Sequence, residues 1–273
     1  MEYFQKNGKD LMGQSPVAPQ VGVGEFYGNV ARTSTHGLDA QLWFNWFEKK
    51  AIRVRTDLIF NQVIDKVTRY YRVPGANKDI VASTGIVPIE GYPINTLVLY
   101  RFKGLDAEGN PLGIVDHGIT DEYNAIINSS DRQSINFVGS RLPTKFGSLR
   151  HTVSFQNWEL SFNIVYKLGY YLKRPNSFNS NGLISGDYRF ADYDQRWQHA
   201  GDENRTTVPA FVYPANVNRE SFYQYSDALA IKGDQLRLQD IRVSYAFSPF
   251  TRYQSSRLSL YLYCSNIGLL WKA

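Results

Sequence analysis

The chain has 273 residues, enough for one large all-β domain or two ordinary ones. Hydrophobic residues make up 43% and mean hydropathy is −0.37; no apolar run of about 18 residues exists, which excludes a membrane-spanning helix. The net charge of +5 is spread out, with Lys49, Lys50, Arg53 and Arg55 the densest group, which argues against a nucleic-acid surface, and the single Cys264 excludes an internal disulfide.

Seven strands are predicted. Residues 1–9 form the first, and a Gly/Pro/Val-rich loop follows over 13–35. The second, 38–47, sets Leu38, Ala40, Leu42, Phe44 and Trp46 on one face and Asp39, Gln41 and Asn45 on the other, with Trp43 as the exception. After a turn at Glu48-Lys49-Lys50, the third runs over 52–71 and opposes Ile52, Val54, Leu58 and Phe60 to Arg53, Arg55, Asp57 and Asn61. An irregular stretch over 72–141 holds one apolar run, 97–102, and a turn at Glu108-Gly109-Asn110-Pro111. The fourth strand, 145–156, has Val153 and Phe155 in its apolar phase, and a tight turn at Asn157 leads into the fifth, 158–174. Within the fifth, Trp158, Leu160, Phe162, Ile164, Tyr166 and Leu168 alternate with Glu159, Ser161, Asn163 and Lys167, and only Val165 breaks the pattern. Eleven such residues are about the length of a tilted strand that crosses a bilayer. A long loop over 175–235 precedes the sixth strand, 236–247. Ser248-Pro249-Phe250 begins a short turn, and the seventh strand, 257–265, alternates Leu258, Leu260, Leu262 and Cys264 with Ser259, Tyr261, Tyr263 and Ser265.

Connections alternate long and short, as the loops and turns of a transmembrane β-barrel do, whereas a soluble sandwich rarely places tens of structureless residues at every second connection. Aromatics fall where interfacial girdles would sit: Trp46, Phe47, Trp158, Phe250 and Tyr253 near the short turns, and Tyr70, Tyr71, Tyr170, Tyr171 and Trp271 at the opposite strand ends. The fold class expected is therefore all-β: part of an antiparallel transmembrane barrel with long extracellular loops and short periplasmic turns. The first residues lack the apolar segment of a signal peptide, and both ends read as cut from a longer chain. A further descending strand is expected downstream.

Several segments, in order, resemble the SusC/RagA-like TonB-dependent outer-membrane transporters. They are Glu2-Tyr3-Phe4-Gln5-Lys6 with Lys9-Asp10-Leu11, Gly28-Asn29-Val30 with His36-Gly37-Leu38-Asp39, and Gly91-Tyr92-Pro93 with Tyr100-Arg101-Phe102-Lys103-Gly104-Leu105-Asp106. Pro143-Thr144-Lys145-Phe146-Gly147-Ser148-Leu149 follows, with Ser148 for the family's second glycine and His151 for its asparagine. Arg196-Trp197-Gln198, Gly201-Asp202-Glu203 and Val208-Pro209 match a loop motif in which Ala200 replaces the usual proline, and 233–241 with Ser265-Asn266-Ile267 resembles the last hairpin. The resemblance implies that residues 1–273 are the C-terminal part of the barrel domain of a plugged importer with about 22 strands. It also implies an upstream plug that engages the TonB complex, a SusD-like lipoprotein lid, and an outer-membrane location among lipid.

No catalytic constellation is present. His36, His117, His151 and His199 lack metal spacing, and neither a cofactor nor bond chemistry is expected. The Gly-rich 21–25 lacks the lysine of a phosphate loop. Asp187, Asp192 and Asp194, with Asp202 and Glu203, read as solvated loop charges, a calcium site being the alternative. The loop 175–235 is the candidate binding region, with Tyr188, Tyr193, Asp194, Arg196 and Trp197 as substrate-binding residues: flat rings suit sugar faces, and amide, carboxylate and guanidinium groups satisfy hydroxyls. The alternative is that Tyr188, Phe190, Tyr193, Trp197, Phe211, Tyr213, Phe222, Tyr223 and Tyr225 form the loop's own core or pack on a lid protein. Asp39, Arg53, Arg55, Asp57, Glu159, Asn163 and Lys167 are expected to face a barrel lumen. The expected function is active import of glycan oligosaccharides, with peptide as the second substrate class. A soluble, secreted carbohydrate-binding module or glycan-active enzyme is the rival, and a passive porin the third reading.

Overall fold

The period-2 patterns produce strands, and the computed structural model describes them within residues 1–16, 25–49, 51–71, 75–82, 86–187, 189–247 and 258–273. The Gly-rich 21–24, Tyr188, Phe250, Tyr253 and the turn at 248–250 lie outside the described residues. In chain order, β1 (Glu2–Pro16), β2 (Glu25–Lys49) and β3 (Ile52–Tyr70) come first. A long connection then carries α1 (Lys78–Val81), β4 (Thr96–Tyr100), β5 (Gly113–Val115), β6 (Gly118–Thr120), α2 (Tyr123–Asn128) and β7 (Ile135–Ser140). β8 (Lys145–Phe155) and β9 (Trp158–Leu168) follow. A second long connection carries β10 (Tyr171–Lys173), α3 (Ser180–Ile184), α4 (Val217–Gln224) and β11 (Ala230–Lys232), before β12 (Gln235–Phe247) and β13 (Leu258–Lys272).

Seven of these strands make one antiparallel sheet in the order β1-β2-β3-β8-β9-β12-β13, with β1 and β13 at its open edges. The register sorts the side chains into two faces. Val54, Val153, Leu160, Val243 and Leu262 form one row across the sheet, and Ile52, Phe155, Trp158, Tyr245 and Leu260 form the next apolar row. On the other face Trp43, Asp57, Arg150, Asn163, Asp240 and Ser265 share a row. Trp43, the exception in its strand pattern, thus lies among the polar set. Asp240 Oδ2 accepts hydrogen bonds from Arg150 Nη2 at 3.3 Å and Asn163 Nδ2 at 3.1 Å, tying three neighbouring strands together.

The apolar face is not buried as a soluble sheet's would be. Leu160 is 44% exposed and Leu262 76%, while Ser161 is 5% and Asp240 4%. A sheet in water buries its apolar face and solvates its polar one. This sheet is the wall of an antiparallel partial barrel, with the apolar band outward. The soluble rival predicts that the apolar faces close on one another, and they do not.

Four expectations need correction. The loop expected over 13–35 is mostly strand, because β1 and β2 pair down to Pro16 and Glu25. Backbone pairing there outweighs the loop-like composition. The fifth strand stops at Leu168, where Gly169 takes φ +75° and turns the chain, and Tyr171–Lys173 pairs with β11 instead. The seventh strand continues past Ser265 to Lys272. Tyr170, expected in a girdle, is buried against Gly233 and its hydroxyl accepts from Gln235 Nε2 at 3.2 Å.

The expected irregular stretches are also folded, and together. Ile80, Val81, Val98, Tyr100, Tyr123, Ile126, Ile127 and Ile135 from the first connection surround Phe222 from the second. Fully burying a side chain such as Phe222 or Ile126 contributes about 1.5–3 kcal/mol. Arg219 on α4 joins the connections. Its guanidinium donates to Asn110 Oδ1 at 3.1 Å, Gly109 O at 3.2 Å, Ala210 O at 2.9 Å and Glu220 Oε1 at 2.8 Å, with both charged side chains buried. Glu220 Oε2 also accepts from the Ser180 amide at 2.8 Å.

Replacing Arg219 with Ala leaves Glu220 buried without its cation, a loss of about 3–5 kcal/mol of local stability. Amide exchange should accelerate in both connections, around Gly109 and around Ala210, while β8 and β9 stay protected. Acceleration confined to 205–225 would refute the shared module.

Candidate functional site

The candidate site grows from the chain between β10 and α4. Asp192 is buried, held by Arg174 at 3.2 Å and by the Phe178 amide at 2.7 Å. It anchors a 3-10 turn over Tyr193–Gln195, and Asp202–Asn204 forms a second one. Between them, Asp202 Oδ2 accepts from the amides of Gln198 at 3.1 Å and His199 at 2.9 Å. Glu203 Oε2 accepts from the Gly201 amide at 2.8 Å and from the Trp197 indole at 3.1 Å. Thr206 donates to Gln195 O at 2.6 Å and closes the fold of this segment.

These contacts set the charges. The His199 and Gln198 amides hold the Asp202 carboxyl below the ordinary carboxylate range. Glu203 is lowered by its own backbone N–H, by the Trp197 indole and by the Gly201 amide. Asp187 is lowered by the side chain and amide of Arg189 beside it. The carboxylates thus spend their lone pairs on their own segment, and no group of three or more His, Cys, Asp or Glu among the described residues is placed to hold a metal.

Asp194, Gln195, Arg196, Gln198, Asp202 and Thr206 line a polar hollow of about 450 Å³. That lies within the range of small-molecule sites, roughly 300–1,000 Å³. Two of the sequence-predicted residues, Asp194 and Arg196, meet here. Tyr193 lies under Arg196, whose guanidinium is 4.0 Å from the ring centroid, and its edge meets Phe178. Trp197 does not line the hollow. Its ring packs on Gly109, where a Cβ would come within 2.6 Å of it. Tyr188 lies outside the described residues. Of the remaining aromatics of this connection, Phe222 and Tyr223 are core, while Phe211 and Tyr213 are exposed.

Sequence reasoning missed Thr206 as a lining group, and it missed Arg219 as the strut beneath. The one available signal was Asn216, whose side chain caps α4 by accepting from the amides of Asn218 at 3.0 Å and Arg219 at 3.2 Å.

A carboxylate with a depressed folded pKa contributes stability above its unfolded pKa and loses it as pH falls through the folded value. Protection of amides 198–206 should therefore fall as pH drops below about 4. Hydrogen exchange corrected for intrinsic rates reads this, and the D202N/E203Q double variant should show a flat profile. A wild-type profile in that variant would refute the assignment.

No family model and no curated protein sequence matches the chain. Solved structures do match it. Against the RagAB peptide importer in its closed-closed state, the chain aligns over 99% of its length with a TM-score of 0.72 at 19% identity. The open-open state gives 0.73 at 19%, and a further structure of the RagAB peptide transporter gives 0.72 at 18%. The chain spans about 30% of the length of the chains it matches. At these identities the likeness shows the fold. The chain is folded as a seven-stranded portion of a RagA-like barrel, and the structures it resembles belong to a transporter rather than an enzyme.

Proposed function

We propose that residues 1–273 are the C-terminal part of the barrel domain of a TonB-dependent outer-membrane importer. The observation that carries this is the outward apolar face of an open sheet, topped by two long connections folded as one module. The apolar band is the lipid surface. The joined connections are the extracellular face, and the row of Asp57, Arg150, Asn163 and Asp240 faces the lumen, where a plug encoded upstream sits. A SusD-like lipoprotein closes over the extracellular module, and the TonB complex pulls on the plug. The hollow around Asp194 and Arg196 contributes to capture of a large polar nutrient. Amide, hydroxyl, carboxylate and guanidinium groups suit an oligosaccharide. A peptide is the second reading, favoured by the likeness to a complex described as a peptide importer.

The test uses the full-length protein in its native membrane. Uptake of labelled oligosaccharides and peptides should stop when an uncoupler collapses the proton gradient; uptake that survives uncoupling would make the protein a passive porin. Single cysteines at Leu160, Phe162 and Ile164, with Cys264 replaced, should react only with a lipid-soluble reagent, and those at Ser161 and Asn163 should not. If Leu160 and Ser161 label alike, the wall reading fails. An Arg at Leu160 should cost about 2–4 kcal/mol if it lies at the bilayer midplane.

A further inference from the structure

A second concavity sits at the seam of the two connections. Val81, Leu97 and Leu99 from the first, and Tyr171, Leu172, Lys173 and Tyr225 from the second, line a cleft of about 260 Å³ with Arg141 at its side. Its charged groups are both cations. The Lys173 ammonium is half-buried and lies 4.1 Å from the centroid of the Tyr225 ring. Neither the Lys173 nor the Arg141 side chain has a hydrogen bond or an acidic partner among the described residues. Elsewhere in the module buried charges are matched: Arg219 has Glu220, and Arg174 has Asp192. Burial, followed by repulsion from Arg141, pulls Lys173 below the ordinary lysine range. Two like charges against an apolar wall are stable together only at a cost, and an anion between them removes it.

We propose that this cleft binds the carboxylate at the end of an elongated ligand, with an apolar group next to the carboxylate resting on Leu172 and the Tyr171 ring, which the buried Leu97 and Leu99 back. A carboxylate fits better than a bulkier anion, since the planar fork of Arg141 matches it and apolar side chains take up most of the lining. The cleft holds one terminal unit, not an oligomer. A carboxylate reaches it from the last residue of a peptide or from a uronic acid; the apolar wall favours the peptide. The inference rests on the importer reading and gives it a substrate terminus.

The test is calorimetric titration of the full-length protein in detergent with N-acetyl-leucine, N-acetyl-leucinamide, glucuronate and inorganic phosphate. N-acetyl-leucine should bind at least about tenfold more tightly than the amide, which lacks the charge. K173Q and R141Q should each weaken it by about tenfold, and K173R should retain most of the affinity and report that the fold is intact. Equal binding of acid and amide, or unchanged binding by K173Q, overturns the proposal. Tighter binding of phosphate or glucuronate overturns the apolar half of it. Binding without energised uptake would sink the importer reading and leave the cleft standing; energised uptake without carboxylate dependence would sink the cleft alone.

Discussion

A buried guanidinium holds the upper half of this molecule together. Removing Arg219 from water is costly, and the cost is offset only because four acceptors from three stretches of chain converge on it. Gly109 and Asn110 belong to the connection after β3, while Ala210 and Glu220 belong to the connection after β9. Neither connection can depart without stripping partners from a buried charge. Asp227 adds a second tie, taking the Phe102 amide at 2.9 Å and Asn136 Nδ2 at 2.9 Å. The Tyr100 amide adds a third by donating to Tyr225 O at 2.8 Å. Long loops with no shared core would be entropic liabilities. Here they are one folded body with its own interior, and burial raises the hydroxyl pKa values of Tyr100, Tyr123 and Tyr223 within it.

The wall below obeys the opposite rule. Its strands satisfy their backbone groups by pairing, so side chains are free to divide by medium. The polar row from Asp57 to Asp240 gathers on the sheltered side, and Leu160, Val243 and Leu262 are left outward. In water that outward face would forfeit about 25 cal/mol per Å² of apolar surface, a cost that an apolar surround removes. Trp158 meets Tyr245 in a tilted pair at 4.8 Å and Tyr245 meets Phe247 edge-on at 4.9 Å, which puts an aromatic cluster at the short-turn end of the same face. Amphipathic rings favour the edge of an apolar layer.

This division explains what could be read from the sequence. Wall strands carry their signal locally, in the period-2 alternation, and β8 and β12 emerge within a residue of the expected bounds, while β9 stops six residues short of its expected end, where Gly169 turns the chain. β1 and β2 run further than expected because their outer halves are held by ladder hydrogen bonds, which leave no mark on composition. The loop module was illegible for a different reason. Its core joins Tyr100 to Phe222, with ring centroids 5.7 Å apart, and no local period encodes a contact of that span. Residue type alone could not separate Trp197, packed on Gly109, from Tyr193, exposed beneath Arg196. Asp194 and Arg196 meet at one hollow as near neighbours in sequence, the kind of proximity that a sequence does display. The surroundings of Lys173 are not displayed in this way: Tyr225 and Arg141, which stand beside it, are distant in sequence, and no acidic partner pairs with it among the described residues.

The placement of Lys173 also ties the cleft to the wall. β10 begins three residues after β9 ends, across a turn that Gly169 makes at φ +75°. The Gly169 amide donates to Asp234 Oδ1 at 2.7 Å, and the Gly233 amide to Tyr170 O at 2.9 Å, so the returning chain is fastened at the point where β12 starts. Lys173 is therefore held at a short, braced distance from two wall strands, and Tyr225 beneath it follows directly on α4, the helix of Arg219. A ligand group that neutralises Lys173 and Arg141 acts at the junction of the folded connections with β9 and β12.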